Sequence, residues 1–169
     1  LILSVGIVLG TNGINVAHEL GHRQKLWERM LGKILLMPAL YMHFYLEHNF
    51  GHHQHVGTPK DPATSKINQS VFSFWFTSIF GQILNAISIQ KNLLKKNKKS
   101  FFSFYNDFFY YQIFQFGYLA FIGLLFGKSA IIFSLLISLT GILLLETINY
   151  IEHYGLTRSL KGERYERVT

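Results

Sequence analysis

Two long apolar runs in the C-terminal half carry no charge, and no other feature of the sequence constrains the fold as strongly. Between Asp107 and Lys128 lie 20 residues without Asp, Glu, Lys or Arg, FFYYQIFQFGYLAFIGLLFG, and between Lys128 and Glu146 lie 17 more, SAIIFSLLISLTGILLL. A helix needs roughly 20 apolar residues to cross the hydrocarbon of a bilayer. Two such runs divided by Gly127-Lys128-Ser129 predict a helical hairpin through a membrane. The first 18 residues, LILSVGIVLGTNGINVAH, are also free of charge and read as the end of a third span. The expected fold class is all-α: a multi-pass membrane protein with about three transmembrane helices.

Basic residues cluster in Arg23 to Lys33, in KNLLKKNKK (residues 91 to 99) and in Arg158 to Arg167, whereas Lys128 alone separates the last two spans. Placing the three clusters in the cytoplasm leaves only Lys128 outside, as the positive-inside rule favours. That predicts an inner-membrane protein with its basic face toward the cytoplasm. The net charge of +7 is thereby assigned to topology, and no nucleic-acid partner is expected. Two further apolar stretches fit this count only if they do not cross. ILLMPALYMHFYL (34 to 46) is too short and contains Pro38. INQSVFSFWFTSIFGQILNAISIQ (67 to 90) is flanked by Lys66 and Lys91, both on the cytoplasmic side. Both are expected as helices lying in, or dipping into, the membrane interface. Beginning at Leu1 inside an apolar run, with no basic leader, the chain fits a cleaved signal peptide poorly. It reads as one domain, 1 to 169, taken from a longer protein and incomplete at both ends.

The histidines carry the chemistry. In HELGH, His18 and His22 are four apart and share one face of a helix. HNFGHH repeats that spacing with His48 and His52 and adds His53; NYIEHYG contributes His153. The predicted topology brings all six to the cytoplasmic side. HELGH alone matches the HExxH pattern in which two His bind Zn²⁺ and the Glu is the general base. A catalytic zinc takes about three protein ligands, so six imidazoles are more simply explained by two ions. Nitrogen donors also suit iron, copper and nickel, and spacing does not choose among them. With no cysteine in the chain, thiolate ligands and a fused rubredoxin-type module are excluded from it. Glu19, Glu47 and Glu152 each adjoin a candidate ligand, and Asn149 precedes His153 by one turn. They are the expected partners for the second ring nitrogens.

HELGHR, EHNFGHH…TPKDPATS and NYIEHYGL, in that order and with a hairpin before the last, resemble the integral-membrane alkane 1-monooxygenases, relatives of the membrane fatty-acid desaturases and hydroxylases. The resemblance runs from the first span to Arg158. It implies a non-haem centre of two iron ions held almost wholly by histidine, with His18, His22, His48, His52, His53 and His153 as ligands. It implies O₂-dependent terminal hydroxylation of an alkane drawn from the bilayer, with electrons from a separate rubredoxin-type protein. The family carries a further HxxHH cluster downstream of the NYxEHYGL motif, and no histidine follows His153 here. Within the same superfamily, an acyl chain (desaturase or hydroxylase) or a methylated aromatic (xylene-type monooxygenase) is the alternative substrate. From other classes come a membrane zinc protease using His18, Glu19 and His22, and a scaffold that binds no metal.

Other polar residues have plainer expectations. His43 lies in an apolar stretch outside any motif, and His55 is off the family spacing; both are left out of the site. TPKDPAT reads as a turn in which Asp61 is structural. The five lysines of residues 91 to 99 face anionic lipid or, alternatively, dock an acidic redox partner. FFSFYNDFFYY is the aromatic belt of a membrane interface.

Overall fold

A computed structural model describes residues 1–162 and 164–166. The chain is helical almost throughout. Its first helix is continuous but changes pitch: α1 (Ile2–Val8) passes through a π-helical segment (Leu9–Ile14) into α2 (Asn15–Gly21). There follow α3 (Leu26–Leu36), the short α4 (Phe44–Glu47), a second π-helical segment (His48–His52) and α5 (His53–His55). Three long helices complete the fold: α6 (Val71–Lys96), α7 (Asp107–Phe126) and α8 (Lys128–Glu152). A two-residue antiparallel ladder, β1 (Leu160–Lys161) with β2 (Arg164–Tyr165), pairs Leu160 with Tyr165.

α7 and α8 form the expected hairpin, turning at Gly127, whose φ of +83° favours glycine. Asn106 caps α7 by accepting from the Phe109 N–H. The first helix packs parallel to α8. A Cβ on Gly10 would stand 3.1 Å from the Gly141 carbonyl, and one on Gly6 would meet Thr140 at 2.5 Å, so small residues set this close approach. Because the two helices run in the same direction, the end carrying His18 and the end preceding His153 emerge together.

Among the described residues, three helices are long and apolar enough to cross a membrane: α7, α8 and α6. α6 covers most of the 67–90 stretch expected in the interface, and its contacts place it across the open end of the hairpin. Near its start, Phe74 packs on Tyr150 and Trp75 donates to Thr147 Oγ1 (3.1 Å), both at the end of α8. Near its far end, Gln90 donates to the Tyr105 carbonyl (3.2 Å), just before α7 begins. Both ends of α6 therefore touch the same end of the α7–α8 hairpin.

The 34–46 stretch departs from expectation. It is not one interfacial helix: α3 ends at Leu36, the chain then turns irregularly to His43, and residues 41 to 47 are buried. Met37 keeps helical angles, but Pro38 supplies no N–H to continue the ladder and Leu40 takes a positive φ of 52°, so α3 does not extend. Irregular backbone beside membrane helices must find its hydrogen bonds inside the protein. Here Gln115 of α7 accepts from the Met42 N–H (2.7 Å), and Ser138 of α8 donates to the Pro38 carbonyl (2.8 Å). α3, by contrast with the buried 41–47 segment, exposes an apolar face through Leu26, Trp27, Met30, Leu31 and Ile34.

This wedge also meets a buried carboxylate. Glu146, wholly buried in α8, accepts from the Tyr41 hydroxyl (3.1 Å), Ser78 Oγ (2.6 Å) and Gln82 Nε2 (2.8 Å). Neutral donors from α6 and from the wedge thus surround it, and they tie both to α8 where the helices cross.

Candidate metal centre

Local geometry decides which histidines share a face. The i, i+4 spacing stacks His18 over His22 at the end of α2, with ring centroids 4.8 Å apart. His48 and His52 bound the second π-helical segment. On an α-helix with 3.6 residues per turn, His53 would lie about 140° around the axis from His48. The i→i+5 bonding of a π turn widens the turn and brings position i+5 back toward position i. The His48 and His53 rings accordingly meet at 4.4 Å. Gly51 lets α6 close over this turn: a Cβ there would stand 2.8 Å from Asn85 Nδ2.

Four side chains form the tightest group. His18, His22, His48 and His53 each offer a ring nitrogen, all within 4.8 Å of one another, and His22 Nε2 lies 3.3 Å from His53 Nε2. The other two histidines adjoin it. The His52 ring is 5.3 Å from that of His48 and 4.8 Å from that of His153. All six rings lie in one contiguous cluster. His43 and His55 lie apart from it: His43 is buried against Tyr41, and His55 is half-buried on α5 beyond His53.

The turn TPKDPAT brackets the second pair. His52 Nδ1 lies 3.0 Å from Asp61 Oδ2, whose other oxygen accepts from the Ala63 N–H (3.1 Å), while Thr64 Oγ1 donates to Oδ2 (2.5 Å). Two residues on, the Ala63 carbonyl sits 3.2 Å from His153 Nδ1. One turn therefore holds both rings by Nδ1 and leaves both Nε2 atoms toward the cluster. Asp61, expected only as a turn residue, is brought against the cluster by its bond to His52. The signal available was a carboxylate between two prolines, within ten residues of three histidines.

The four residues expected to support the rings are placed differently. Glu19 lies 3.3 Å from His18 Nδ1, although it is largely exposed. Glu47 is buried but accepts from Asn85 Nδ2 (3.1 Å) and touches no ring. It adjoins His48 in sequence, but neighbouring residues on a helix point in different directions. Glu152 and Asn149 line the cavity next to the cluster.

Electrostatics keep most of the rings neutral. Burial, then the neighbouring imidazoles, push His48 far below the ordinary histidine value; burial and His22 lower His53, and burial and His52 lower His153. Burial alone pushes His43 down to about 4. Burial opposes charge on His52 as well, but the Asp61 hydrogen bond and charge outweigh it and hold its pKa above the usual value. Burial would raise Asp61, yet the bonds from His52, Thr64 and Ala63 hold it below the carboxylate range. Burial and the Asp61 charge push Glu47 up to about 7.

These residues fit a metal. Neutral imidazoles are ligands, several donors lie within the span of one coordination sphere, and His48 Nε2 is buried with no hydrogen-bond partner. A cavity of about 760 Å³ opens beside the cluster, its lining including His18, His48, His52 and His153 together with Phe44, Leu145 and Ile148.

Arg158 is not free for docking. It donates to the Gln54 carbonyl (3.0 Å), the Val56 carbonyl (3.3 Å) and the Glu166 carbonyl (2.5 Å), and its N–H bonds to Gly57 O (2.8 Å). It clamps the histidine segment to the chain after α8. Arg167, at the far end of that expected basic surface, lies outside the described residues.

The chain is similar in sequence to known proteins. The chain is 38% identical over 167 residues to the alkane 1-monooxygenase of Acinetobacter baylyi, covering 96% of this chain and 41% of that protein. It is 39% identical over 169 residues to alkane 1-monooxygenase 2 of Alcanivorax borkumensis, covering 99% and 44%. A more distant relative is the xylene/toluene monooxygenase hydroxylase component XylM of Pseudomonas putida, 26% identical over 159 residues, covering 94% and 43%. The chain thus spans less than half the length of the curated relatives it matches. The sequence model of the fatty acid desaturase family matches residues 1–169, from the first helix through the last histidine motif, and the chain belongs to that family.

Proposed function

We propose that the chain is part of a membrane monooxygenase that hydroxylates the terminal carbon of an alkane at a histidine-bound di-iron centre. The contiguous six-imidazole cluster opening onto an apolar-walled cavity carries this reading, and the alkane 1-monooxygenase relatives support it. His18, His22, His48 and His53 would hold one ion, and His52 and His153 would contribute to the second. The resemblance assigns further ligands to an HxxHH cluster after Thr169. The reaction inserts one atom of O₂ into a C–H bond and reduces the other to water, consuming two electrons and two protons. Bound iron supplies the O₂ activation that this chemistry requires.

The residues in hand position and desolvate. Asp61 and the Ala63 carbonyl hold the His52 and His153 rings through Nδ1, which favours Nδ1–H and would leave Nε2 as the nitrogen offered to an ion. Phe44, Leu145 and Ile148 give an alkane an apolar wall beside those nitrogens. The first helix and α8 border the cavity, so the substrate enters laterally from the bilayer. The basic clusters support a position for this end of the hairpin at the cytoplasmic face of the inner membrane. Electrons come from a separate rubredoxin-type protein drawn to the lysines of residues 91 to 99. Among the described residues, those lysines pair with no carboxylate.

The test is metal analysis of the full-length protein, followed by product analysis after feeding octane, xylene and a fatty acid. Two Fe per chain and 1-octanol are expected. One Zn, with His52 and His53 dispensable, would instead identify a protease of the HExxH type. Hydroxylation of xylene or of the acyl chain in preference to octane would move the substrate within the superfamily and leave the metal assignment standing.

A further inference from the structure

A second cavity lies away from the histidines, where α3, the C-terminal end of α6 and the start of α7 converge. Its volume is about 580 Å³, and its polar lining is cationic: Arg29, Lys33 and Lys99 against a single carboxylate, Asp107. Lys33 is already engaged, 3.4 Å from Asp107 and 4.6 Å from the centre of the Tyr45 ring. Arg29 and Lys99 have no carboxylate partner among the described residues, and Lys99 rests 4.3 Å from the centre of the Tyr105 ring. Leu26, Met30 and Leu93 supply apolar walls. The cleft is therefore an amphipathic site with two uncompensated positive charges.

Its place in the fold selects the ligand. Asp107 is the first residue of α7, so the cleft lies at the level where that helix leaves the hydrocarbon. Beside it, Phe102 and Phe104 are 85% and 90% exposed, as befits side chains in the headgroup layer. α3 turns Leu26, Trp27, Met30 and Ile34 outward along one edge of the same cleft. Basic pockets between membrane helices on the cytoplasmic side suit anionic headgroups. We propose that this cleft binds the phosphate of an anionic phospholipid, held by Arg29 and Lys99, with an acyl chain lying along the exposed face of α3. The site is independent of the metal centre and does not rest on the proposed reaction.

The test uses the full-length protein purified in a neutral detergent and titrated with phosphatidylglycerol or phosphatidylcholine, retained lipid being counted by native mass spectrometry. Phosphatidylglycerol should bind in preference to phosphatidylcholine. At about 1 kcal/mol per basic residue near a membrane surface, the double variant Arg29→Gln/Lys99→Gln should weaken retention roughly thirtyfold. Lys95→Gln/Lys96→Gln, which removes the same charge from the end of α6 without altering the cleft lining, should weaken retention clearly less than the cleft variant does. Arg29→Lys should keep most of the affinity, which separates charge loss from misfolding. Equal losses in the two double variants would reduce the effect to general surface attraction and overturn the site. Displacement of the lipid by millimolar inorganic phosphate would show the acyl chain to be irrelevant and overturn the lipid assignment. Weakened binding of an acidic redox protein with lipid retention unchanged would reassign the cleft to that partner and overturn the proposal equally.

Discussion

The cluster contains two differently built halves. His18, His22, His48 and His53 owe their proximity to backbone periodicity, an i, i+4 pair on α2 facing a π turn, and their rings lean mainly on one another. His52 and His153 come from segments far apart in the chain and are held by a loop, through Asp61 and the Ala63 carbonyl. Each pair of the first half needs only its own helical turn, and the two pairs then meet where α2 faces the second π-helical segment. The second needs a tertiary contact between residues about ninety positions apart, the separation of Ala63 from His153. Helix geometry makes the two pairs of the quartet locally, whereas the bracket makes His52 and His153 depend on a loop and on the end of α8.

The quartet should be the more sensitive to loss of a ring. His48 touches His18, His22, His52 and His53, so His48→Ala removes the nitrogen common to both halves. Turnover in the full-length protein should fall by more than the roughly 100-fold that marks loss of a ligand's outer partner. Residual activity near wild type would separate the quartet from the chemistry.

Chelation comes next. A metal that binds only the native state at a thousandfold excess over its Kd contributes about 4 kcal/mol. Stripping the full-length protein should lower its thermal midpoint accordingly, and re-addition of Fe²⁺ should restore it. A midpoint that ignores chelator would mean that the six rings are held by packing alone.

Asp61→Asn tests the bracket itself. It keeps the shape of the turn but removes the charge that orients His52, and a tenfold to hundredfold loss of metal affinity is expected, roughly. The loss should fall on one of the two ions, measured by competitive chelation in two phases. A uniform loss would show that the halves are not independent.

A smaller effect is pH-dependent and confined to the metal-free protein. His52 is raised in the fold, so its contribution is fully present below 6.5 and is lost as pH rises through the higher folded value. Asp61 is depressed, so its contribution is present above 3.8 and is lost as pH falls through the lower folded value. The pair therefore stabilises the apo-protein most between 3.8 and 6.5, and Asp61→Asn should erase that maximum in thermal melts across the range. Metal requires the neutral ring and should shift the optimum upward.

The smallest effect is expected at Glu19. Its contact with His18 is solvent-exposed, and exposed pairs contribute little. Glu19→Gln should leave activity within about threefold of wild type. A loss as large as that of Asp61→Asn would make the carboxylate of HELGH a second bracket.

Much of this molecule is legible in the sequence. The hairpin follows from charge-free runs, because a long apolar segment has few alternatives to crossing a bilayer. The six histidines are legible because their residue type and spacing encode ligand chemistry directly. Asp61 was not, since TPKDPAT describes a turn equally well whether or not a ring lies against it. Nor was the fate of 34–46, whose apolar character suits a membrane surface and a protein interior alike; the N–H and carbonyl partners on α7 and α8 decide between them.

The sequence by itself determined the membrane helices, the small residues that let the first helix approach α8, and the inventory of nitrogen donors. Each depends on composition or on spacing within one element. Tertiary structure alone decided that the His18–His22 pair meets His48 and His53, that one loop holds His52 and His153, and that Arg158 is spent on the carbonyls of Gln54 and Val56. It also gathered Arg29, Lys99 and the start of α7 around one cleft. Those outcomes depend on distances between residues far apart in the chain, and no local pattern fixes such distances until the helices have packed.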